Sequence, residues 1–155
     1  MAVNTAGGVK FYSGITQFCD DLAEFQADSY IEVGEVEDAG QVGDESGEIT
    51  FTALSDARTR KFKGPRDAGT MQIVCGADSS DEGQDAMVAA EADDNFDYNF
   101  RVDLSDELTV GGTPTSLYFR GKVMSKRRNI GNVGNIVRYN FNVGVNTAIV
   151  ESAAT

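Results

Sequence analysis

The feature that most constrains this chain is a strict two-residue alternation near its C-terminal end. From Val137 to Asn146 the sequence reads VRYNFNVGVN. Val137, Tyr139, Phe141, Val143 and Val145 fall in one phase, and Arg138, Asn140, Asn142 and Asn146 in the other. A strand turns successive side chains to opposite faces, so this segment predicts one buried face and one free for water or a partner. SLYFRGKVMS, from Ser116 to Ser125, shows the same tendency less cleanly. Phe96 to Leu104 (FDYNFRVDL) alternates strictly, with Phe96, Tyr98, Phe100, Val102 and Leu104 in phase. Between the last two strands lies Lys126-Arg127-Arg128, followed by Asn-Ile-Gly-Asn-Val-Gly-Asn, a turn-rich basic connection. A chain of half-buried strands is built around a surface rather than a pocket, and that points to assembly.

The remaining elements follow from local pattern. Tyr30–Val36 is strand-like, with Ile31 and Val33 in phase and Val36 one position out. Ile49–Thr52 and Thr70–Cys75 read as further strands, and Asp38–Glu48, rich in glycine and acid, as a loop. Asp20–Gln26 forms a short helical turn in which Leu22 and Phe25 share a face. Leu54–Gly69 is a long basic arm or hairpin loop, with Arg58, Arg60, Lys61, Lys63 and Arg66 around Phe62. Ser79–Ala92 is the one clear helix. Ser79 and Glu82 have the spacing of a capping box, and Ala86, Met87, Ala89 and Ala90 supply an apolar face that Gly83 weakens slightly. Gly111-Gly112 and Pro114 mark the turn before Ser116. The sum is mainly β: an antiparallel barrel or sandwich of about six to seven strands flanked by an α-helix, with a long basic loop. At 155 residues the chain is expected to form one domain, with an acidic N-terminal part (1–48), an extended loop (53–69) and a helix (79–92).

Charge is segregated along the chain. Residues 1–56 hold one basic and twelve acidic side chains, and residues 57–77 five basic and one acidic. Residues 78–107 then hold one basic and eleven acidic, and residues 108–155 six basic and one acidic. Copies of one chain can use such blocks to meet head to tail, acid against base. The bland alternative is a set of solvated faces with no partner. No apolar run approaches the ~18 residues of a membrane span, and the first residues lack the basic-then-apolar pattern of a signal peptide. The expectation is synthesis in the cytoplasm, no membrane partner, and buried, free thiols at Cys19 and Cys75.

The chemistry-bearing residues do not make a site. The chain has no histidine, the commonest general base and the commonest zinc ligand. Asp38, Asp44, Glu45 and Glu48 do not follow the spacing of a calcium loop, and Asp78, Asp81 and Glu82 suit a helix N-terminus without a metal. Adjacent carboxylates at Asp93-Asp94 and Asp106-Glu107 point apart. Gly111-Gly112 lacks the strand-to-helix setting of a phosphate loop. No catalytic residue, metal or cofactor is expected. The basic arm with Phe62 could stack on a base, but a chain of isoelectric point near 4.3 is repelled by phosphate at long range.

Several blocks occur in a telling order. Thr59-Arg60-Lys61-Phe62-Lys63-Gly64 is followed by Gly69-Thr70 and an apolar strand, then by Asp78-Ser79-Ser80-Asp81-Glu82-Gly83-Gln84 and an aromatic-rich strand. Tyr118-Phe119-Arg120-Gly121-Lys122-Val123-Met124-Ser125 and Asn129-Ile130-Gly131-Asn132-Val133 come before the last strand. In this order, over residues 49–151, the chain resembles the tail tube (major tail) proteins of long, flexible-tailed bacteriophages. The resemblance implies a fold related to the type VI secretion tube protein and a structural, non-enzymatic role in the virion tail. It implies hexameric rings stacked into a hollow tube through which DNA passes without specific binding. Partners would be further copies, the tape-measure protein, the tail tip and the tail terminator. The family's extended loop, which packs on a neighbouring ring, corresponds to about Ala53–Gly69. Arg58, Arg60, Lys61, Phe62, Lys63 and Arg66, together with Lys126, Arg127 and Arg128, are therefore candidate intersubunit contacts. Asp38, Asp44, Glu45 and Glu48 are candidate acidic contacts or lumen residues. Alternatives are a secretion-tube or tail-completion subunit, or a monomeric acidic β-barrel binding module.

Overall fold

The computed structural model describes residues 3–155. In chain order it contains β1 (Lys10–Ser13), α1 (Leu22–Ala27), β2 (Ile31–Val33), β3 (Val36–Asp38), β4 (Glu45–Thr52) and β5 (Thr59–Asp67). There follow β6 (Thr70–Gly76), α2 (Glu82–Ala92), β7 (Tyr98–Asp103), β8 (Ser116–Asn129), β9 (Arg138–Val145) and β10 (Val150–Ser152). Eight strands make one antiparallel sheet in the order β2-β1-β7-β8-β9-β6-β3, with β10 added to β8. β2 and β3 end the path and do not pair with each other, so the sheet is open and sandwich-like rather than a closed barrel. β4 and β5 pair only with each other.

The core lies on one face of the sheet, where the predicted phases converge. Phe100 and Val102 of β7, Tyr139, Phe141, Val143 and Val145 of β9, and Met71, Ile73 and Cys75 of β6 are all buried there with Met87 and Ala90 of α2. Phe11, Phe100 and Phe119 stack across three neighbouring strands at centroid separations of 5.7 and 5.4 Å. Fully burying such side chains contributes about 1.5–3 kcal/mol each. Phe96, placed in the same phase by the sequence, falls before β7 and stays 60% exposed.

Helix α2 begins later than the capping-box spacing suggested. Its N-cap is Asp81, not Ser79: the Asp81 carboxylate accepts the Gln84 amide at 2.9 Å and the Gly34 amide at 3.0 Å. Gln84, 1% exposed, bonds through its side chain to the carbonyls of Gly34 and Gly76 and to the Asp78 amide. Gly83, which the sequence marks only as a weakness, is where the helix touches β2. A Cβ there would stand 2.0 Å from the Glu32 carbonyl oxygen.

The opposite face is half covered. Residues 14–30, carrying α1, cross the first half of β8 and bury Cys19 and Phe25 against Tyr118. Beneath this strap runs a polar seam. Arg120 donates to Asn99 Oδ1 at 2.7 Å and to the Gln17 carbonyl, and Asn99 Nδ2 donates to Asp28 at 2.8 Å and to the Gln17 carbonyl at 2.9 Å. The first half of β8, expected to keep one free face, is therefore buried on both.

Other expectations shift in detail. Tyr30–Val36 is two strands broken at Gly34-Glu35, where Glu35 has φ 58°. The Asp38–Glu48 loop is extended strand at both ends, and β8 runs straight through Lys126-Arg127-Arg128. With that one split, the short β1 and β10, and β5 within the expected basic arm, the six segments read as strands become ten among the described residues. Both cysteines are free and buried.

Candidate assembly surface

The basic stretch expected as an arm or loop is the second strand of a hairpin. Glu48 pairs with Lys63, Ile49 with Phe62, Thr50 with Lys61, Phe51 with Arg60 and Thr52 with Thr59. Residues directly opposite in an antiparallel pair share a face. One face thus presents Ile49, Phe51, Phe62 and Arg60, and the other Glu48, Thr50, Thr52, Lys61 and Lys63. The apolar members are exposed, Ile49 at 52% and both Phe51 and Phe62 at 55%. The hairpin tip holds Leu54, wholly exposed, and Ala57, held at φ 51° by a bond from its amide to the Ala53 carbonyl. Among the described residues, β4 and β5 pack chiefly on each other and make at most slight contact with the other strands and helices.

The candidate cations divide by what they meet. Arg60 pairs with Asp56 at 2.7 Å, and Lys61 with Glu48 at 3.8 Å, within the same hairpin. Both pairs are exposed, and such pairs contribute at most about 1 kcal/mol. Among the described residues Arg58, Lys63 and Arg66 meet no carboxylate at salt-bridge distance. Asp44 and Glu45 stand at the hairpin root, with Asp38 at the end of β3.

Lys126, Arg127 and Arg128 lie elsewhere, on the far half of β8. There β8 pairs only with β9, because its ladder with β7 ends at Tyr98–Gly121. Residues 122–129 accordingly present an unpaired strand edge. Lys126 and Arg127 are exposed and without carboxylate partners among the described residues, while Arg128 lies 4.7 Å over the Tyr139 ring. The connecting turn adds Ile130, Val133 and Ile136, all more than 60% exposed. The structure thus divides the basic candidates between two projecting hairpins.

Cations and Phe62 stand out in the sequence, whereas Ile49, Phe51, Leu54, Ile130, Val133 and Ile136 join the surface only in the structure. The signal for the first pair was present, since Ile49 and Phe51 share a phase that a hairpin turn at 53–58 sets against Phe62. No three Asp, Glu or Cys side chains among the described residues converge to hold an ion.

No protein-family model and no curated protein matches this chain. Solved structures do. A chain of the anti-feeding prophage baseplate superposes with a TM-score of 0.70 at 7% identity, over 100% of this chain and 99% of that one. The sheath/tube terminator of a PVC extracellular contractile injection system gives 0.66 at 9% identity, with 97% of each chain covered. The SPP1 tail tube gives 0.59 at 16% identity, over 94% of this chain and 76% of that one. At these identities the likeness is one of fold: the chain folds as the tail tube and tube-terminator proteins of phages and contractile injection systems do.

Proposed function

We propose that this chain is a tail tube subunit. It polymerises as stacked hexameric rings into the hollow tail tube of a virion, through which DNA passes into the host. The observation that carries this reading is the β4–β5 hairpin: two strands projecting from the subunit with an exposed apolar face and little among the described residues of their own chain to pack on. A lone two-stranded hairpin is at best marginally stable in water. One that presents Ile49, Phe51 and Phe62 is made for burial against a second copy. The unpaired edge of β8 supplies a second contact, since such edges template pairing with another chain. A tube needs both kinds, one that closes a ring and one that does not.

In this reading Arg58, Lys63 and Arg66 on the hairpin, and Lys126 and Arg127 on β8, meet carboxylates of neighbouring copies. Asp38, Asp44, Glu45 and Glu48 are the acidic contact or lumen groups. A bore without free cations lets DNA slide, because each phosphate contact adds affinity. Tape-measure protein, tail tip and terminator would complete the tail, after synthesis of the subunit in the host cytoplasm.

A tube-terminating subunit is the second reading. It is favoured by the near-complete mutual coverage with a sheath/tube terminator, and with a tube-terminating cap at a TM-score of 0.65. Negative-stain electron microscopy of concentrated protein separates the readings. Hollow tubes of many rings support the tube subunit, and single rings the terminator. Uniform monomers at every concentration would overturn the first reading.

A further inference from the structure

The core of the sheet is open at one end. A groove of about 290 Å³ lies there, lined by Val9, Val36, Ala39, Val42, Met71 and Leu104. All but Met71 are only partly buried, so the groove is an apolar recess that the described residues leave unfilled. Its rim carries Glu37 and Asp38. Arg138 holds Glu37, whereas among the described residues the Asp38 carboxylate accepts only the Gly40 amide, at 2.8 Å.

This groove sits at the root of the β4–β5 hairpin, because the segment through Ala39 and Val42 runs into β4 and Met71 follows closely on β5. At the other end of the hairpin Leu54 is 103% exposed. Beside it Arg58 has no carboxylate at salt-bridge distance among the described residues. β4 is eight residues long, about 26 Å at ~3.3 Å per residue, so a subunit's own Leu54 stands well away from its own groove. An apolar knob and an apolar recess on one chain, held apart by a paired hairpin, are the two halves of a heterologous contact, which builds a filament where its rotation does not close into a ring.

We propose that Leu54 of one copy seats in the groove of the copy stacked against it, with Arg58 facing the Asp38 carboxylate. This rests on the tube reading and names the partner surface of its hairpin. Charge selects Leu54 over the other wholly exposed side chains, because Arg60 neutralises Asp56 at the same tip and leaves Arg58 there without a carboxylate partner among the described residues. Val133 stands among asparagines and glycines, and Val110 follows Glu107, so neither brings a cation beside it to the acidic rim.

The test uses the full chain. Leu54→Cys combined with Ala39→Cys should give a ladder of disulfide-linked multimers on oxidation, and neither single variant should. Cys19 and Cys75 are buried and add no background. Leu54→Asp should raise the concentration needed for assembly at least tenfold and leave the melting temperature unchanged. Ala39→Trp should block assembly from the opposite side, with folding checked by circular dichroism. Assembly that survives Leu54→Asp, or tubes in which the double-cysteine variant forms no ladder, overturns the inference and leaves the tube reading standing. Assembly abolished by Val133→Asp but not by Leu54→Asp overturns it equally. An unmodified chain that stays monomeric overturns both.

Discussion

Arg120 donates to the Asn99 side chain at 2.7 Å beneath the 14–30 strap, with the two residues 7% and 0% exposed. Asn99 turns its amide nitrogen to the Gln17 carbonyl and to Asp28, so one amide joins a buried cation, a carboxylate and the strap backbone. Asn99→Leu keeps the volume and removes every one of these bonds. Two of these bonds join Asn99 to charged groups, Arg120 and Asp28, at about 1.5–3 kcal/mol each, so the variant should lose at least about 3 kcal/mol of stability. The urea midpoint should fall, and limited proteolysis should newly cut between residues 14 and 30. An unchanged midpoint would show that the seam does not hold the strap.

Gly83 tests the seating of α2. Alanine is the better helix former by about 1 kcal/mol, so propensity alone predicts a gain. Contact predicts a loss, because the added Cβ would stand 2.0 Å from the Glu32 carbonyl oxygen and 2.6 Å from its carbon. These are backbone atoms of a strand and cannot swing aside. Overpacking of this kind costs about 1–3 kcal/mol or more, so Gly83→Ala should lower the melting temperature. A stabilised variant would place α2 farther from β2 than it stands here.

The contrast at Gly83 shows what the sequence could and could not convey. The phases of β7 and β9 were legible because alternation depends only on neighbours along the chain, and Tyr98, Phe100, Tyr139 and Phe141 lie on the predicted face. The short β1 and β10 carry no alternation long enough to read; they exist because β7 and β8 offer them edges. The buried role of Arg120 was hidden for the same reason, since its cover comes from residues about a hundred positions away. In the candidate surface the cations were visible as composition. The apolar face of the hairpin was legible only in part: Ile49 and Phe51 share a phase along the chain, but Phe62 joins them only once it is set opposite Ile49.

Acid should weaken the fold through aspartates that are hydrogen-bonded as anions. Asp106 is held below its ordinary value of 3.8 by the Thr115 hydroxyl and amide, and Asp78 by the Ser80 hydroxyl and amide. Asp97 is lowered too: its burial opposes ionisation, but bonds from Lys122 and Asn146 outweigh that. A carboxyl whose folded pKa lies below its unfolded one contributes stability above the unfolded value and loses it as pH falls through the folded value. Stability should therefore be flat near neutrality and decline below about pH 4. Thr115→Val should be less stable than the parent at neutral pH, and the gap should close in acid. A gap independent of pH would mean that the Thr115 contribution is packing alone.

Cys75 should be unreactive in the native state. It is fully buried, and burial followed by the nearby Asp81 charge pushes its thiol up to about 11. The thiolate is the reactive form, so an alkylating reagent at neutral pH should modify it only through unfolding. Labelling in rising urea, read by mass spectrometry, should track the unfolding transition. Fast labelling in buffer would show that β6 opens locally.

The hairpin offers a separation between folding and assembly. Ile49→Ser with Phe62→Ser removes two exposed apolar side chains from an element that hardly touches the rest of the subunit, so the unfolding midpoint should stay where it is. Each of these side chains keeps about half its surface to be buried by a neighbour, worth roughly 1 kcal/mol. Together they should raise the critical concentration for assembly about thirtyfold, from roughly 2 kcal/mol. Lys63→Ala with Arg66→Ala acts on charge instead, and its effect should fade in high salt, where exposed pairs are screened. The apolar pair should keep its effect there. Equal salt dependence of the two variants would mean that both sets of side chains belong to one electrostatic contact, and unchanged assembly in both would remove the hairpin from the interface.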